Sequence, residues 1–300
     1  MPEDEQTYAA AGVSLATADA VVERLRAAVE STGTTGFGAF AGLFTLDEHR
    51  LLAASMDSIG TKPIVARPRG ALRACGADMA AHCINDVITT GADPLFLLDY
   101  VAAGRIDLED VAELVSGAAD VCRAAGVALL GGETAELPDV YREDELDFAA
   151  TCVGIVERER LVDGASVREG DTVVGFASAG VHANGFTLVR SVLEVEDYSG
   201  VDLLAPTRLY LDDVRRLRGV AAAFAHVTGG GILGNLGRVL PHGLRAEIAW
   251  DAWQRPPVFA WLARHVAEDE LRRVFNLGIG YLAVVRDPGD DLVIGRIVAA

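Results

Sequence analysis

The chain has 300 residues, of which 51% are hydrophobic and 23% are charged, and its formal net charge at pH 7 is −18. This composition is typical of a globular protein of one or two domains and excludes a disordered or fibrous chain. A surface this acidic repels nucleic-acid phosphates and anionic lipids, so we expect neither nucleic acid nor a membrane as a partner.

The basic residues are almost all arginine. Among 26 basic residues, Lys62 is the only lysine. An acidic, lysine-poor surface suits a salty cytoplasm, where counterions screen self-repulsion, and a halophilic source is therefore a hypothesis. A lone lysine also indicates a position that needs a compact ammonium group, although chance survival of a surface lysine is the alternative explanation.

The sequence predicts a cytoplasmic protein. Its acidic N-terminus lacks the apolar stretch of a signal peptide, and no apolar run approaches the roughly 18 residues that span a bilayer. The four cysteines show no CxxC pair and no metal-ligand spacing. We expect them to be buried, reduced thiols: Cys75, Cys83, Cys122 and Cys152.

Periodicity predicts alternating helices and strands in the first half of the chain. We expect helices over 14–30 and 77–90, and a third that begins after an Asp107 cap and ends at Gly126. We expect strands over 51–55, 95–101, 127–130 and 148–156, the second and third of them buried. A Gly- and Thr-rich stretch over 31–38 is either a plain loop or a flap that faces phosphate.

A polar stretch over 157–171 predicts the boundary between a domain of residues 1–160 and a domain of residues 161–300. The second half begins with a strand over 172–177, a loop over 178–185 and a helix over 186–193. Further strands are predicted over 246–249, 281–285 and 292–298, with a helix over 258–265. Because strands and helices mix in both halves, the fold class is α/β or α+β.

Four segments carry residues suited to phosphate and metal chemistry. In the first, Asp57 and Lys62 lie five residues apart across Gly60. The carboxylate can hold Mg²⁺ while the ammonium neutralises phosphate oxygens. The alternative is a hairpin turn with exposed charges.

The second segment is the helix over 77–90. Asp78, His82 and Asp86 recur every four residues and therefore share one helix face. Asp86, next to Asn85, is a candidate Mg²⁺ ligand, whereas a solvated helix face is the alternative. His82 is more often a structural histidine.

The remaining segments are rich in glycine. Gly131 and Gly132 precede Glu133, whose carboxylate can bind a metal or ribose hydroxyls, unless the segment is only a glycine turn. His182 and Asn184 lie in a loop before a helix, and residues 228–231 form a run of N–H donors suited to phosphate. Although 229–234 formally matches GxGxxG, no acidic residue follows at the spacing that a dinucleotide site needs, and we reject that interpretation.

These segments have distinctive amino-acid sequences. Residues 57–62 are DSIGTK, 83–86 are CIND, 91–106 are GADPLFLLDYVAAGRI and 131–141 are GGETAELPDVY. Residues 180–190 are GVHANGFTLVR, 203–210 are LLAPTRLY, 225–231 are AHVTGGG and 275–280 are FNLGIG. In this order they resemble the phosphoribosylformylglycinamidine cyclo-ligase family, the aminoimidazole ribonucleotide synthetases, over nearly the whole chain.

The resemblance implies a reaction. In that family ATP phosphorylates the formyl oxygen of formylglycinamidine ribonucleotide, the amidine nitrogen attacks the activated carbon, and phosphate leaves as the imidazole ring closes. The products are aminoimidazole ribonucleotide, ADP and phosphate, in purine biosynthesis. It also implies a two-domain chain and a homodimer whose N-terminal sheets join into a barrel.

The resemblance also implies roles for residues. Asp57, Asp86 and Glu133 would hold Mg²⁺ with ATP, and K⁺ is a candidate second cation. Lys62 would lie near the transferred phosphoryl group, with His182 and Asp86 as further catalytic residues, and 36–38 would be a flap over the nucleotide. Further nucleotide contacts would come from Gly60, Thr61, Asn85, Gly131, Gly132 and Thr134. The ribonucleotide would be bound by His182, Asn184, Thr228, Gly229, Gly230 and Gly231.

The chain departs from the family pattern at three positions. Ser58 stands where the family has Gly, Ala183 where it has Ser and His82 where it usually has Met. Relatives of other activity fit less well: a selenophosphate synthetase needs a reactive cysteine near its N-terminus, a hydrogenase-maturation protein needs one at its C-terminus, and thiamine-monophosphate kinases carry paired aspartates in the glycine loop. The alternative of another class is a non-catalytic, nucleotide-binding paralogue.

Overall fold

Two five-stranded sheets form the framework of the molecule. The computed structural model describes residues 6–34 and 37–300. The strands of the first sheet are β1 (Gly42–Thr45), β2 (Arg50–Ser58), β3 (Asp93–Ala103), β4 (Ala128–Glu136) and β5 (Leu146–Glu157), in the spatial order β1-β2-β5-β3-β4. Those of the second are β6 (Thr172–Ala177), β7 (Ala223–His226), β8 (Leu244–Ile248), β9 (Ile279–Val285) and β10 (Val293–Ala299), in the order β7-β9-β6-β10-β8.

Nearly all strand pairs are antiparallel. The exception is β3 with β4, which are parallel because a helix crosses between them. The helices of the first half are α1 (Leu15–Glu30), α2 (Lys62–Ala66), α3 (Leu72–Ile88) and α4 (Leu108–Ala125). Those of the second half are α5 (Phe186–Leu193), α6 (Leu211–Leu217), α7 (Gly231–Gly237), α8 (Pro257–Leu262) and α9 (Glu268–Val274). The mixed class predicted from the sequence is confirmed.

Helix α3 is the central element of the molecule. It packs against β2, β3 and β5 of the first sheet, against α4, and against α6 and β7 of the second half. Fourteen of its residues are buried, which explains why its sequence is apolar nearly all round. Polar residues on α3 are therefore enclosed from both halves of the chain.

Helix α4 behaves as its sequence predicts. The Asp107 carboxylate caps it by accepting hydrogen bonds from the N–H groups of Glu109 and Asp110, and Gly126 ends it in the left-handed conformation. The helices predicted over 14–30 and 186–193 and the strand over 172–177 are also confirmed.

Three expectations about strands are wrong. Strand β4 continues through residues 131–136, beyond the end predicted at residue 130, and it is largely exposed instead of buried. Strand β2 likewise runs beyond residue 55 and ends with Asp57 and Ser58. The predicted burial of β3 is only half right, because one of its faces is open.

The outer face of the first sheet carries exposed apolar side chains. Met56, Leu98 and Leu130 expose 68%, 42% and 62% of their surface. Met56 and Leu98 both pair with Thr151, so they lie in one row across three neighbouring strands. Helices α3 and α4 cover the opposite face, which leaves this one open in the single chain.

Within the described part of the chain, every helix is too short or too polar to cross a membrane.

Candidate active site

Two acidic and two histidine side chains meet where the two halves of the chain face each other. We call Asp57, His82, Asp86 and His226 the acid–histidine cluster. His82 Nε2 lies 2.9 Å from Asp57 Oδ2, and His226 Nδ1 lies 2.8 Å from Asp86 Oδ1. The two imidazole rings contact each other edge to face, with centroids 4.6 Å apart.

Three elements position the acid–histidine cluster. Asp57 lies on the inner face at the end of β2, His82 and Asp86 lie one turn apart on α3, and His226 ends β7. The Ser55 hydroxyl on β2 donates to Asp86 Oδ2 at 3.0 Å and orients that carboxylate. The predicted common face of residues 78, 82 and 86 is confirmed, and that face is buried rather than solvated.

The charges of the acid–histidine cluster depend on one another. Burial by itself would lower the pKa of His82, but the nearby carboxylates, Asp57 first, raise it to about 9. Burial opposes ionisation of Asp57, yet the charge of His82 and the hydrogen bond from the Ser58 amide lower the pKa of that carboxyl overall. Burial lowers the pKa of His226 despite its hydrogen bond to Asp86. At neutral pH the cluster therefore holds a charged His82 beside a neutral His226.

Lys62 is fully buried. Its ammonium lies 2.6 Å from Asp78 Oδ2 and donates to the carbonyl oxygens of His182 at 2.9 Å and Ala205 at 3.3 Å. It also faces the Phe186 ring at 5.2 Å. This burial excludes the alternative interpretation in which Lys62 is an exposed charge on a hairpin turn. The compact ammonium group of lysine fits the small space between these oxygen atoms.

Asp78 and Asn85 hold the segment 205–210 against α3. Asp78 Oδ1 accepts hydrogen bonds from the Thr207 amide and hydroxyl at 2.7 and 2.8 Å. The Asn85 side chain donates to the Arg208 carbonyl at 2.9 Å and accepts from the Tyr210 amide at 3.0 Å. The polar groups of Asn85 are therefore engaged with backbone, which explains how a buried amide is tolerated on this helix.

Gly60 and Thr61 lead from β2 into α2. Gly60 has a positive φ of 63° that favours glycine, and Thr61 precedes the first helical residue. The Thr61 hydroxyl lies 3.1 Å from that of Thr187 at the start of α5. The segment 57–62 therefore runs from the acid–histidine cluster to the second half of the chain.

The segment Gly131–Thr134 lies apart from the acid–histidine cluster in one chain. Asp57 pairs with Ala150, Ala150 with Asp99, and Asp99 with Gly132. Three strand spacings, on the order of 14 Å, therefore separate β2 from Glu133 and its neighbours. Glu133 is exposed, so the three carboxylates predicted to share Mg²⁺ do not meet within a single chain.

The close pairing of β3 and β4 explains why residue 132 is a glycine. A Cβ at this position would come within 1.8 Å of the Asp99 carbonyl oxygen. Strand β4 therefore approaches β3 in a way that only glycine permits.

His182 is buried in a left-handed conformation with φ 66°. Its Nε2 accepts a hydrogen bond from the Ala179 amide at 3.1 Å, so the proton of the neutral ring lies on Nδ1. Burial, reinforced by the positive charges around it, lowers the pKa of His182 well below its usual value. The ring packs against Gly280, where a Cβ would come within 2.6 Å of His182 Cε1.

The glycine-rich segment 228–231 is held by Asn235. The Asn235 amide donates to the carbonyl oxygens of Thr228, Gly229 and Gly231 at 3.2, 3.2 and 2.8 Å. Gly230 and Gly231 have positive φ values of 101° and 64°. Asn184 Oδ1 lies 4.0 Å from the position a Cβ would take on Gly229, so these predicted substrate residues do lie together.

A cleft of about 1060 Å³ opens beside this segment. Its walls combine α1, residues 37–42 and the start of α7, and they include three arginines, Arg26, Arg238 and Arg273. Phe37 and Gly38, from the predicted flap, also line it, whereas Gly36 lies outside the described residues.

Arg238 lines the cleft within electrostatic range of Asp86 and Asp57 in the acid–histidine cluster. It donates to the carbonyl oxygens of Gly38 and Ala39 and stacks on the Phe40 ring at 3.9 Å. Burial lowers the pKa of Arg238, and the charges of Asp86 and Asp57 oppose that shift. Sequence reasoning missed Arg238 and Ser55, because one arginine among many and one serine in a strand carry no signal of their own.

The acid–histidine cluster fits a magnesium ion in part. Asp57 and Asp86 offer carboxylate oxygens, which are the ligands Mg²⁺ prefers. Asp57 Oδ1 already accepts from the Ser58 amide at 2.7 Å, and both oxygens of Asp86 have partners. The pair leaves most positions of an octahedral ion to water and phosphate, which is the usual arrangement for this cation.

The family comparisons agree with this architecture. The family model described as AIR synthase related protein, N-terminal domain, matches residues 38–156, and the corresponding C-terminal domain matches residues 168–295. Among solved structures, thiamine monophosphate kinase from Aquifex aeolicus superposes with a TM-score of 0.64 at 17% identity, over 92% of this chain and 94% of that one. Phosphoribosylformylglycinamidine synthase II from Thermotoga maritima superposes with a TM-score of 0.59 at 20% identity, over 89% of this chain and 43% of that one. The fold is that of the AIR synthase related proteins.

Curated relatives narrow this class. A phosphoribosylformylglycinamidine cyclo-ligase from Oleidesulfovibrio alaskensis is 42% identical over the whole chain and 92% of that protein. One from a Synechococcus strain is 44% identical over 96% of the chain and 90% of that protein. The chain belongs to the phosphoribosylformylglycinamidine cyclo-ligase family.

Proposed function

We propose that this protein closes the imidazole ring of aminoimidazole ribonucleotide in purine biosynthesis, using ATP. The observation that carries the proposal is identity of 42–44% to proteins of that name over at least 93% of the chain. The residues that the resemblance assigns to phosphoryl chemistry, Asp57, Lys62 and Asp86, are all present.

The proposed reaction has two steps. The formyl oxygen of formylglycinamidine ribonucleotide attacks the γ-phosphorus of ATP, and ADP leaves. The amidine nitrogen then attacks the activated formyl carbon, the C–O bond breaks, and phosphate departs as the ring closes. Such chemistry depends on positioning and on neutralising phosphate charge rather than on a covalent nucleophile.

ATP and Mg²⁺ would bind beside the acid–histidine cluster. Asp57 and Asp86 would hold the ion, which neutralises charge on the phosphates when bound. A solved structure of AaThiL in complex with AMPPCP and TMP shares this fold with a TM-score of 0.66 at 18% identity, which supports a nucleotide site. We also propose that Gly60 and Thr61 contact the nucleotide and that K⁺ binds at the same site.

Lys62 would act through the backbone that it holds. Its bonds to the carbonyls of His182 and Ala205 support a positioning role for the loops before α5 and α6. A direct contact between this ammonium and the transferred phosphoryl stays a prediction, and it requires the ammonium to leave Asp78. His182 would shape the same loop, because its ring is buried.

The ribonucleotide would occupy the large cleft. Gly229 and Gly230 line it, and Arg238 and Arg273 supply positive charge for a phosphate. Thr228 precedes these glycines, and Asn184 Oδ1 lies 4.0 Å from the Cβ position of Gly229. The segment from Phe37 would cover the nucleotide, as predicted for the flap.

We also propose a domain boundary between residues 160 and 161 and a cytoplasmic location.

A homodimer would complete the site. The exposed outer face of the first sheet, with Met56, Leu98 and Leu130, supports a partner sheet packed against it. Glu133 lies on the exposed edge strand of the same sheet. A second copy would therefore allow Glu133, Gly131 and Thr134 to reach a nucleotide that their own chain does not bring to them.

The test is an assay of ADP release in high KCl with Mg²⁺, with and without formylglycinamidine ribonucleotide. We expect ADP release that depends on this substrate and a product that gives the diazo colour of an aminoimidazole. Asp86→Asn should lower kcat by at least about 100-fold, because it weakens the hold on the ion that neutralises the phosphates. Asp212→Asn is the matched control, because that side chain is 99% exposed.

Two outcomes would contradict the proposal. ATP binding without turnover would favour the non-catalytic paralogue. Turnover of thiamine monophosphate in place of the formylglycinamidine substrate would favour the kinase activity of the structural neighbour.

A further inference from the structure

His82, Asp86 and His226 form a compact group of metal-ligating atoms. One donor atom from each residue lies within 4.8 Å of the other two, and all three residues are buried. Two imidazoles and one carboxylate make a donor set that suits first-row transition cations better than Mg²⁺, which prefers oxygen alone. This group differs from the proposed magnesium pair, because it uses both histidines.

The histidine on α3 has spare ligand capacity. His82 is 2% exposed, yet its Nδ1 has no hydrogen-bond partner among the described residues. Its Nε2 approaches Asp57 but makes no well-directed hydrogen bond. A buried imidazole with both nitrogens poorly satisfied is costly unless it has another use. Coordination of a cation is such a use, and the ion displaces the proton that the nearby carboxylates otherwise hold on this ring.

The three donors are held on elements that favour coordination. His82 and Asp86 are one helical turn apart on α3, a spacing that lets two side chains reach the same ion. His226 approaches from β7, across the contact between the two halves of the chain. Ser55 donates to Asp86 Oδ2 and acts as the outer partner that metal-binding carboxylates usually have.

The separations require a small adjustment. A tetrahedral ion with bonds of about 2.0–2.1 Å needs donors about 3.4 Å apart. Donors within 4.8 Å of one another must therefore close by at most about 1.4 Å.

We propose that this protein binds one divalent transition cation, with Zn²⁺ as the representative, through His82, Asp86 and His226. The remaining coordination position is open to water or to a phosphate oxygen. The ion ties α3 of the first half to β7 of the second. Where the proposed function holds, this ion takes Asp86 from magnesium and so inhibits ring closure.

The experiment is a titration of the purified full chain with Co²⁺, followed by visible absorption, and with Zn²⁺, followed by calorimetry. We expect one ion per chain, and intense Co²⁺ absorption that excess Mg²⁺ does not remove and that Zn²⁺ does. His82→Met deletes one ligand at similar size and should weaken Zn²⁺ binding by more than 10-fold and abolish the absorption. These readouts do not involve catalysis, so they are independent of the proposed function.

Two further variants complete the test. His242→Gln removes an exposed histidine and should bind both ions as the unaltered chain does. Ser55→Ala leaves the ligands in place but removes the orienting hydrogen bond, so it should weaken binding by about 10-fold even if His82→Met fails to fold. Absence of Co²⁺ absorption in the unaltered chain, or binding by the Ser55→Ala and His82→Met variants that is as tight as in the unaltered chain, would overturn the proposal.

Discussion

Lys62 and Asp78 form an ion pair in which both side chains are fully buried. Charges in such a place are tolerated only when their partners are complete. The ammonium has Asp78 and two carbonyl oxygens, and Asp78 also receives two hydrogen bonds from Thr207. The only lysine in the chain therefore joins α2, α3 and the loops of the second half.

Replacing Lys62 should destabilise the protein strongly. Lys62→Met leaves Asp78 charged and unpaired, and we expect a loss of about 3–5 kcal/mol in the free energy of unfolding. Lys62→Arg keeps the charge, but the larger planar guanidinium does not fit the enclosure, so it should also lose stability. Urea denaturation measures both. The double variant Lys62→Met with Asp78→Asn should recover part of the loss, and no loss in Lys62→Met would contradict the buried pair.

His182 should make the protein sensitive to acid. Because burial lowers the pKa of His182 in the folded state, the unfolded chain takes up a proton at this residue first as the pH falls below about 6.5. Stability at this site is therefore present above that pH and is lost below it, by up to about 1.4 kcal/mol per pH unit.

His182→Asn tests this pH dependence, because asparagine tolerates the positive φ and does not titrate. Thermal or urea unfolding between pH 7 and pH 5 should show a shallower decline in the variant than in the unaltered chain. His49→Asn, at an exposed histidine, should retain the original slope. Parallel curves for all three proteins would show that His182 does not carry the effect.

Helices α3 and α4 cross in close contact because each has a glycine at the crossing. A Cβ on Gly76 would come within 1.8 Å of the Leu114 carbonyl oxygen, and one on Gly117 within 2.0 Å of the Arg73 carbonyl oxygen. The backbones therefore touch directly. This contact fixes the depth of α3, and with it the position of His82 and Asp86 relative to the first sheet.

Gly76→Ala should lower the free energy of unfolding by about 3 kcal/mol, because the added methyl group forces the two helices apart. Gly117→Ala should have a similar effect. Gly237→Ala is the matched control: no atom lies near its Cβ position and it is helical, so this change should be neutral or stabilise by up to about 1 kcal/mol. Equal stability of Gly76→Ala and the unaltered chain in urea would refute the close crossing.

The proposed dimer is a property of the whole molecule. The outer face of the first sheet presents Met56 and Leu98 in one row, and a second copy packed there would remove them from water. Burying a charge in such an apolar contact is strongly unfavourable.

The double variant Met56→Glu with Leu98→Glu should therefore be monomeric where the unaltered chain is dimeric. Light scattering after size-exclusion chromatography measures the mass of each. Val201→Glu, at a residue 93% exposed elsewhere, should leave the oligomeric state unchanged. A dimer that survives the double variant would show that this face is not the interface.

The sequence by itself determined most helices and strands of this protein. Their periodicity, the Asp107 cap and the Gly126 stop are local signals, and they correctly predicted α4, α5 and β6. It also predicted the mixed fold class, the family and the presence of buried, reduced cysteines. The sequence predicted that β2 and β4 end before Asp57 and Glu133, because glycine and acidic residues are usual in loops. In the structure these residues belong to the end of β2 and to the edge strand β4.

The tertiary structure alone decided which functional groups meet. Asp57, His82, Asp86 and His226 are brought together by β2, α3 and β7, and no local pattern predicts contacts between residues so distant in the chain. The contact between Lys62 and Asp78 depends on tertiary packing in the same way. Glu133 lies in an equally distinctive motif, but three strand spacings separate it from Asp57. Sequence patterns report the chemistry of each segment, but the packing of α3 between two sheets sets the distances among them.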